Sequence, residues 1–266
     1  MAIHAPEVTE IRLALAAMGT RFELVARGDD PGALLAGGEA ALERIEEAHR
    51  WLTKFETSSL LAHLRRVAPE PVTVDRPTMA LFMAARQLTT ATQGAFAPLV
   101  TGRWDGISID VASQTISLAN PAMAFDFGAI AKGHAVGLAM ATLRESGVTA
   151  GFVHGGTSSG AGFGPAPWRV ALGPERDTPV VSLRDSAFAV SDTFQWRNGR
   201  LVPHLLDPTT RQVILVRRRA AVHGPDPRTA DAWATALAVR GTRPPALEAT
   251  YTSWIKDGDS AWRLVR

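Results

Sequence analysis

Cysteine is absent from the 266 residues of this chain. That absence excludes disulfides, thiolate zinc sites, iron–sulfur clusters, a thiol nucleophile and an acylated cysteine anchor. The sequence also lacks any apolar run of the roughly 18 residues that a membrane helix needs. At the N-terminus, Glu7 and Glu10 precede any apolar stretch, which is not the pattern of a secretion signal. These absences predict a soluble, cytoplasmic protein.

Lysine is scarce, since only Lys54, Lys132 and Lys256 are present. The 28 basic residues nearly balance the 26 acidic ones, for a net charge of +2. The single dense basic run, 217–219, follows a strand-like stretch at 213–216. Proteins that read nucleic acids usually carry a broader basic stripe interleaved with aromatic residues. We therefore interpret the run as a solvated strand end and expect no nucleic-acid partner.

Apolar residues make up 46% of the chain, which is enough for a packed core. Helical spacing covers 34–52, 78–90 and 129–146, and a last helix is predicted from Thr229, as its N-cap, to Gly241. A hairpin turn is predicted at Met18-Gly19-Thr20, and short strands at 151–154, 169–172, 187–190, 201–206, 214–222, 249–255 and 261–265. Because helices and strands mix without a regular βαβ repeat, we predict an α+β fold in one domain over residues 1–266.

One segment that suits an anion is Asp126-Phe127-Gly128-Ala129-Ile130-Ala131-Lys132-Gly133-His134. An aspartate ends a strand, a glycine turn follows, and a helix begins with Lys132 in its first turns. Free N–H groups at a helix start, together with a lysine, favour an anionic ligand. The spacing is not that of a Walker loop. The alternative is an ordinary strand-to-helix turn with a surface lysine.

A second segment, on the last helix, pairs Asp231 with Thr235. Residues four apart share a helix face, and hard cations such as Mg²⁺ take carboxylate and other oxygen ligands. The alternative is structural. Asp231 would then favour the N-terminus of its own helix, and Thr235 would bond back to the preceding turn.

A histidine and two glycine loops complete the candidates. His204 opens the segment His204-Leu205-Leu206-Asp207-Pro208, and its near-neutral pKa suits a base, although a lone histidine is often structural. Gly155-Gly156 and Gly94-Ala95-Phe96-Ala97-Pro98 would let backbone approach a ligand, or form ordinary turns. Without HExxH, GxGxxG at a helix start or GxSxG, a zinc enzyme, a dinucleotide fold and an α/β-hydrolase are not expected.

Taken in order, six segments over residues 11–264 resemble the ApbE family of FAD:protein FMN transferases. They are Met18-Gly19-Thr20, Gly94-Ala95-Phe96, Asp126 to Gly133, Gly155-Gly156, His204 to Pro208, and Ala230 to Ala236. The resemblance implies an ApbE-like α+β fold with the flavin site between two lobes. It also implies a magnesium-dependent reaction that cleaves the FAD diphosphate, moves FMN onto a threonine hydroxyl of a partner flavoprotein, and releases AMP.

The resemblance further implies roles for individual residues. The metal would be held by Asp231, Thr235 and the backbone of Ala129. His204 would be the base that deprotonates the acceptor hydroxyl. The FAD site would be lined by Met18, Ala95, Phe96, Ala97, Asp126, Lys132, Gly155, Gly156 and Leu205. The expected partners are FAD and an unidentified flavoprotein acceptor.

Several positions depart from the family pattern. They are Ala97 and Thr157 in place of aspartates, Arg65 in place of an asparagine, Val190-Ser191-Asp192 in place of Thr-Ser-Gly, and His134 in place of a tyrosine. These departures indicate a divergent member and leave two alternatives open. One is a FAD pyrophosphatase that gives FMN and AMP, and the other is a non-catalytic flavin-binding module. Exported members of the family begin with a signal and a lipid-anchored cysteine, so their absence supports the cytoplasmic expectation.

Overall fold

The structure is a computed structural model that describes residues 9–265. The start of the N-terminal segment, including Glu7, lies outside the described residues. Within the described range the chain forms five α-helices: α1 (Pro31–Leu52), α2 (Leu60–Val67), α3 (Arg76–Ala91), α4 (Ala131–Glu145) and α5 (Pro227–Arg240). The strands are β1 (Thr9–Ala17), β2 (Thr20–Gly28), β3 (Val72–Thr73), β4 (Leu99–Thr101), β5 (Ile107–Asp110), β6 (Thr115–Leu118), β7 (Ala124–Phe125), β8 (Ala150–Gly155), β9 (Ser159–Phe163), β10 (Trp168–Ala171), β11 (Val180–Leu183), β12 (Ser186–Asp192), β13 (Phe194–Arg197), β14 (Arg200–Pro203), β15 (Arg218–Gly224), β16 (Thr252–Asp257) and β17 (Arg263–Val265).

An eight-stranded antiparallel sheet organises the molecule, in the order β1-β2-β8-β9-β12-β15-β16-β17. Successive side chains of a strand point to opposite faces. On one face, residues such as Val153 and Val222 join the main core beneath α1, α4 and α5. On the other face, Phe152 stacks on Trp168 of the β10–β11 hairpin, with ring centroids 5.5 Å apart. The remaining strands form small sheets, β3-β6-β5, β4-β7 and β13-β14.

The α+β fold is confirmed, and the predicted helices lie where the spacing placed them, within a few residues at each end. Thr229 as N-cap is wrong. Helix α5 begins at Pro227, and the N-cap is Asp226, whose carboxylate accepts the N–H of Thr229 at 2.9 Å. The predicted end is confirmed, because Gly241 adopts the left-handed conformation with φ 75°. No helix among residues 9–265 combines the length and the apolarity needed to cross a bilayer.

The strand predictions around the candidate histidine are less accurate. The strand predicted over 201–206 ends at Pro203, and the one predicted over 214–222 begins only at Arg218. The stretch 213–217 leaves the sheet because its backbone bonds elsewhere. Leu206 and Val213 form a single bridge, and the Val216 carbonyl accepts the Thr193 hydroxyl at 2.8 Å. The basic run therefore lies at the beginning of β15, and its interpretation as a solvated strand end is wrong for two of its residues. Arg217 is exposed, whereas Arg218 and Arg219 are partly buried and pair with carboxylates.

Candidate active site

Two tight turns lie side by side at one end of the large sheet. Met18 and Gly19 join β1 to β2 with φ values of 51° and 71°, which confirms the predicted hairpin turn. Gly156, after β8, donates its N–H to the Arg21 carbonyl at 2.9 Å, and a Cβ there would overlap the Thr20 hydroxyl. The Met18 and Gly155-Gly156 segments are thus adjacent, although they are 137 residues apart or more in the chain.

The Asp231 carboxylate is buried where α4 and α5 cross. Its Oδ2 accepts the N–H of Gly133 at 2.9 Å, and the residue is only 4% exposed. Gly133 lies in the first turn of α4, where N–H groups have no intrahelical acceptor. A Cβ at Gly133 would overlap the Pro227 carbonyl and lie 2.8 Å from the Asp231 Cβ. Backbone contact between the helices therefore fixes the position of Asp231.

Burial raises the pKa of the Asp231 carboxyl, because an ionised carboxylate is poorly solvated there. The Lys132 ammonium, the Gly133 N–H and the Ser159 hydroxyl oppose that shift. Asp231 therefore supports the start of a different helix, α4, rather than that of its own helix.

Hydroxyl groups surround this carboxylate. Thr235 donates its hydroxyl to Ser191 at 3.4 Å, rather than back to the preceding turn. The Ser159 hydroxyl is fully buried near Asp231, yet within residues 9–265 it has no partner in hydrogen-bonding geometry. Among the same residues, no group of three or more His, Asp or Glu has a metal-binding arrangement. Any cation held here would be bound by one carboxylate together with hydroxyl and carbonyl oxygens.

Asp126 links the segment 126–134 to the glycine loop after α3. It directly follows β7, its Oδ1 accepts the N–H of Gly128 at 2.9 Å, and its Oδ2 pairs with Lys54 Nζ at 2.5 Å. The Asp126 N–H in turn donates to the Pro98 carbonyl at 2.7 Å. Lys132, the second residue of α4, donates weakly to the Gly128 carbonyl at 3.4 Å. Two of the three lysines therefore lie at this turn.

The loop at 94–98 exposes mainly its backbone, because the side chains of Ala95 and Phe96 are buried. Ala95 and Phe96 are each 1% exposed and belong to the core, whereas Ala97 is half-buried. The Thr92 hydroxyl closes the loop by accepting the Phe96 N–H at 3.1 Å. The side chains of Ala95 and Phe96 thus hold the loop in place, and a ligand would meet its backbone.

His204 follows β14 and lies on the exposed side of the site. Its N–H donates to the Thr193 carbonyl at 3.0 Å. Partial enclosure by neighbouring atoms lowers the pKa of its imidazole, Lys132 adds to that effect, and Asp192 opposes it. Lys132 therefore acts on both His204 and Asp231. The adjacent Leu205 packs against the core.

The sequence model of the ApbE family matches residues 18–105 and 99–249, which is most of the chain. The chain belongs to the ApbE family.

An FAD:protein FMN transferase of Rhodobacter capsulatus is 32% identical over 154 residues. That match covers 54% of this chain and 29% of the Rhodobacter protein, so the chain corresponds to less than a third of that relative's length. Solved structures agree in fold. The ApbE protein of Thermotoga maritima has a TM-score of 0.79 at 21% identity over 97% of both chains. The flavinyl transferase ApbE of Pseudomonas stutzeri, in its apo form, has a TM-score of 0.79 at 20% identity over 97% of this chain and 95% of that one. The flavin transferase ApbE of Vibrio cholerae has a TM-score of 0.77 at 21% identity over 97% of both.

The departures from the ApbE pattern fall in different surroundings. His134 is buried under α1 and near α5, and burial lowers its pKa to about 4. Arg65 donates to the Pro121 carbonyl at 3.2 Å, and Thr157 is exposed. Asp192 accepts Arg219 Nε at 3.1 Å, beside His204. Of these five positions, Ala97 is itself assigned to the site, Thr157 directly follows Gly156, and Asp192 lies beside His204.

Sequence reasoning did not assign four side chains that the fold brings here: Lys54, Phe55, Ser159 and Ser191. The ring of Phe55 is 86% exposed and its centroid lies 5.2 Å from Lys54 Nζ, so it adjoins the Lys54–Asp126 pair. The rarity of lysine was the one signal for Lys54. Ser191 lies in the Val190-Ser191-Asp192 segment that aligns with the family's Thr-Ser-Gly, which was its one signal. Ser159 carried none, because it reaches Asp231 only through a contact distant in the sequence.

Proposed function

We propose that this chain is a magnesium-dependent FAD:protein FMN transferase. The reaction cleaves the diphosphate of FAD, places FMN on a threonine hydroxyl of a flavoprotein and releases AMP. The observation that supports this best is that segments far apart in the chain meet at one buried carboxylate. Gly133 and Ser159 lie beside Asp231, and the charge of Lys132 acts on both Asp231 and the exposed His204. Membership of the ApbE family points to the same reaction.

The residues present fit a hard cation. Asp231 uses one oxygen for Gly133, which leaves Oδ1 for a metal, and the orphaned hydroxyl of Ser159 is beside it. The Gly133 N–H bonds to Asp231 rather than to the carbonyl oxygen four residues earlier, which belongs to Ala129. That carbonyl oxygen could therefore bind a metal. Asp231, Thr235 and that carbonyl would hold Mg²⁺, which prefers oxygen ligands and keeps sites for water and phosphate. When bound, it would supply charge neutralisation on the diphosphate.

The diphosphate would lie between Lys132 and the Gly155-Gly156 turn. Lys132 contributes an ammonium whose charge lowers the pKa of both Asp231 and His204. The free N–H groups that the sequence predicted at the start of α4 are largely taken, because Ala131 donates to the Phe127 carbonyl and Gly133 donates to Asp231. Lys132 would therefore meet the anion through its ammonium. Phosphoryl transfer needs positioning and charge stabilisation more than covalent help. These groups would hold the diphosphate with its FMN-side phosphorus toward His204.

The flavin would lie toward Met18, Asp126 and the backbone of the loop at 94–98. Phe55 offers an exposed aromatic face next to Asp126 for the ring system. Leu205 would bound the same space from the His204 side. This arrangement leaves the phosphorus of FMN between the buried carboxylate and the exposed histidine.

His204 would act as the general base. Because its pKa is lowered, the imidazole is neutral at pH 7 and can accept the proton of the acceptor threonine. The threonine oxygen then bonds to the FMN phosphorus, the bond from that phosphorus to the bridging oxygen breaks, and AMP leaves with that oxygen. His204 afterwards returns its proton to solvent. Exposure of this histidine lets a protein substrate reach it.

Incubation of the chain with FAD, MgCl₂ and candidate flavoproteins tests the proposal. AMP is followed by chromatography, and covalent flavin by in-gel fluorescence and intact mass. Equal amounts of AMP and flavin-labelled acceptor are expected. AMP without labelled acceptor in every case would instead establish a FAD pyrophosphatase. Bound FAD without AMP would contradict catalysis and leave a flavin-binding module.

A further inference from the structure

His204 lies at the junction of two small hairpins. We call these the junction hairpins and define them as residues 194–203, which contain β13 and β14, and residues 205–216. Both are anchored on Thr193, whose carbonyl accepts the His204 N–H at 3.0 Å and whose hydroxyl donates to Val216 at 2.8 Å. Whatever rests on the junction hairpins therefore lies next to His204.

The junction hairpins expose an unusual amount of apolar side chain. Trp196 and Leu215 are each 76% exposed. Within residues 9–265 there are thirteen large apolar side chains that are exposed, and five of them belong to the junction hairpins: Trp196, Leu206, Val213, Leu215 and Val216. Scattered apolar residues are normal on a surface, but a concentration of them marks an interaction site. Trp is also the residue type most enriched among energetically dominant interface residues.

The same hairpins are basic. Arg197, Arg200 and Arg211 are exposed, and among the described residues none of the three has a salt-bridge partner. The only acidic residue in the junction hairpins is Asp207, whose carboxylate accepts the backbone N–H of Thr209 at 2.8 Å. A partner that complements this surface carries acidic residues.

The backbone favours an extended partner. Strands β13 and β14 pair only with each other, in register from Phe194↔Pro203 to Arg197↔Arg200, so this part of the described structure forms a two-stranded sheet with open edges. An extended segment can add to such an edge through main-chain hydrogen bonds, while side-chain contacts give specificity.

We propose that the junction hairpins dock the acceptor protein through an extended, acidic segment with an apolar side chain, which brings the target threonine beside His204. The proposal rests on the proposed transferase function. It adds the chemistry of the acceptor segment, which the transfer reaction alone does not specify.

Fluorescence anisotropy with labelled synthetic peptides tests the docking without FAD. One peptide has a central threonine, a neighbouring leucine and Asp/Glu flanks, and its matched partner has Lys/Arg flanks. The acidic peptide is expected to bind, more weakly as salt rises, and the basic one is not. Arg200→Glu with Arg211→Glu should weaken binding by about 10-fold or more. Trp196→Ser should do the same by removing apolar contact.

Matched control variants separate a surface effect from a general one. Arg169→Glu changes another exposed arginine, on β10, and Val111→Ser changes another exposed apolar side chain, at the β5–β6 turn. Both should bind the acidic peptide as the parent does. Melting temperature verifies that each variant is folded. Should Trp196→Ser fail to fold, Leu215→Ser, at the other hairpin, replaces it.

Three results would overturn the docking proposal. They are equal binding of acidic and basic peptides, parent-like binding by the charge-reversed variant, and conversion of a dimer to a monomer by Trp196→Ser in sedimentation. The last would show that a second copy of this chain occupies the surface. Because anisotropy requires no turnover, a chain that binds the acidic peptide but releases no AMP would contradict the proposed function alone.

Discussion

The two ends of the candidate site are built in opposite ways. At the helical end, Asp231 is 4% exposed and its position is fixed by backbone contact between α4 and α5. At the hairpin end, His204 is exposed and is held by a single backbone bond to Thr193. Charge stabilisation is most effective where water is excluded and the groups are already in place. Access for a protein substrate requires the reverse, so the contrast suits transfer from a small molecule to a protein.

Two histidines repeat the contrast. His134 is buried in the helical layer, and its pKa falls to about 4. His204 is only partly enclosed, and its pKa is lowered with Asp192 in opposition. The first is suited to packing as a neutral ring and the second to exchanging a proton.

The strongest way to break the helical end is Asp231→Asn. The variant keeps the shape and an oxygen acceptor for Gly133 but removes the charge that would hold Mg²⁺. Charge stabilisation by a metal contributes several kcal/mol to a transition state, so AMP release in Mg²⁺ should fall about 10³-fold. Initial rates of AMP release over a magnesium titration measure this loss. A parent-like rate would refute the metal assignment.

Asp231→Asn should also change stability, in the direction set by linkage. Burial raises the folded-state pKa of Asp231 above its unfolded value. Its stabilising contribution is therefore present at acid pH and is lost as pH rises through the folded pKa. Without metal at pH 7, the variant should melt above the parent, and MgCl₂ should raise the melting temperature of the parent alone. If the variant instead loses about 0.3–1 kcal/mol of unfolding free energy, with or without Mg²⁺, Asp231 would act only on a helix terminus, because this is the size of a helix-dipole effect.

The corresponding change at the hairpin end is His204→Gln. Loss of a general base should lower transfer about 10²–10³-fold, with FAD binding retained. In the parent, the rate should fall as pH drops below the ordinary histidine range and be constant above pH 7, because the lowered pKa keeps the ring neutral there. A pH-rate profile of AMP release for both proteins measures this. A profile that keeps its acidic limb in His204→Gln would assign the titration to another group.

His134 sharpens the comparison through stability alone. Its pKa is 6.5 when unfolded and about 4 when folded, so its contribution is present above pH 6.5 and is lost as pH falls toward 4. The loss is about 3 kcal/mol (from roughly 1.4 kcal/mol per pKa unit). Arg228 adds to the lowering, and Asp75 and Asp226 oppose it. Urea unfolding of the parent and of His134→Phe at pH 6.5 and at pH 4 measures the loss of stability that His134 causes. Parallel pH dependence in the two proteins would contradict it.

The features that could be predicted from the sequence are those formed by residues close together in the chain. The strand, turn and helix from Asp126 to Lys132 are short-range, and so is the shared face of Asp231 and Thr235, so both could be predicted from spacing. Ser159 could not, because its position beside Asp231 follows from the pairing of β8, β9 and β12.

The errors arose where two local patterns competed. Asp226 and Thr229 are both good N-cap residues, and the proline after Asp226 decided the helix start. Residues 213–217 are apolar enough for a strand, but their backbone bonds to Thr193 and to Leu205 rather than to the sheet. Flavin-site assignments such as Met18 and Asp126 stay predictions.

The smallest expected effect comes from two glycines on one face of α4. A Cβ at Gly133 would overlap the Pro227 carbonyl, whereas a Cβ at Gly137 would have its nearest contact at 3.4 Å, with the Pro227 ring. Both Gly→Ala changes gain helix propensity, up to about 1 kcal/mol, so their difference isolates the helix crossing. Gly137→Ala should be neutral or slightly stabilising. Gly133→Ala should lower the free energy of unfolding by about 1–3 kcal/mol, the range for overpacking. It should also abolish stabilisation by magnesium, because the added methyl group would displace α5 and Asp231 with it. Melting curves with and without MgCl₂ measure both effects. Equal stability of the two variants would mean that the crossing adjusts freely, and the helical end would then be no more rigid than the hairpin end.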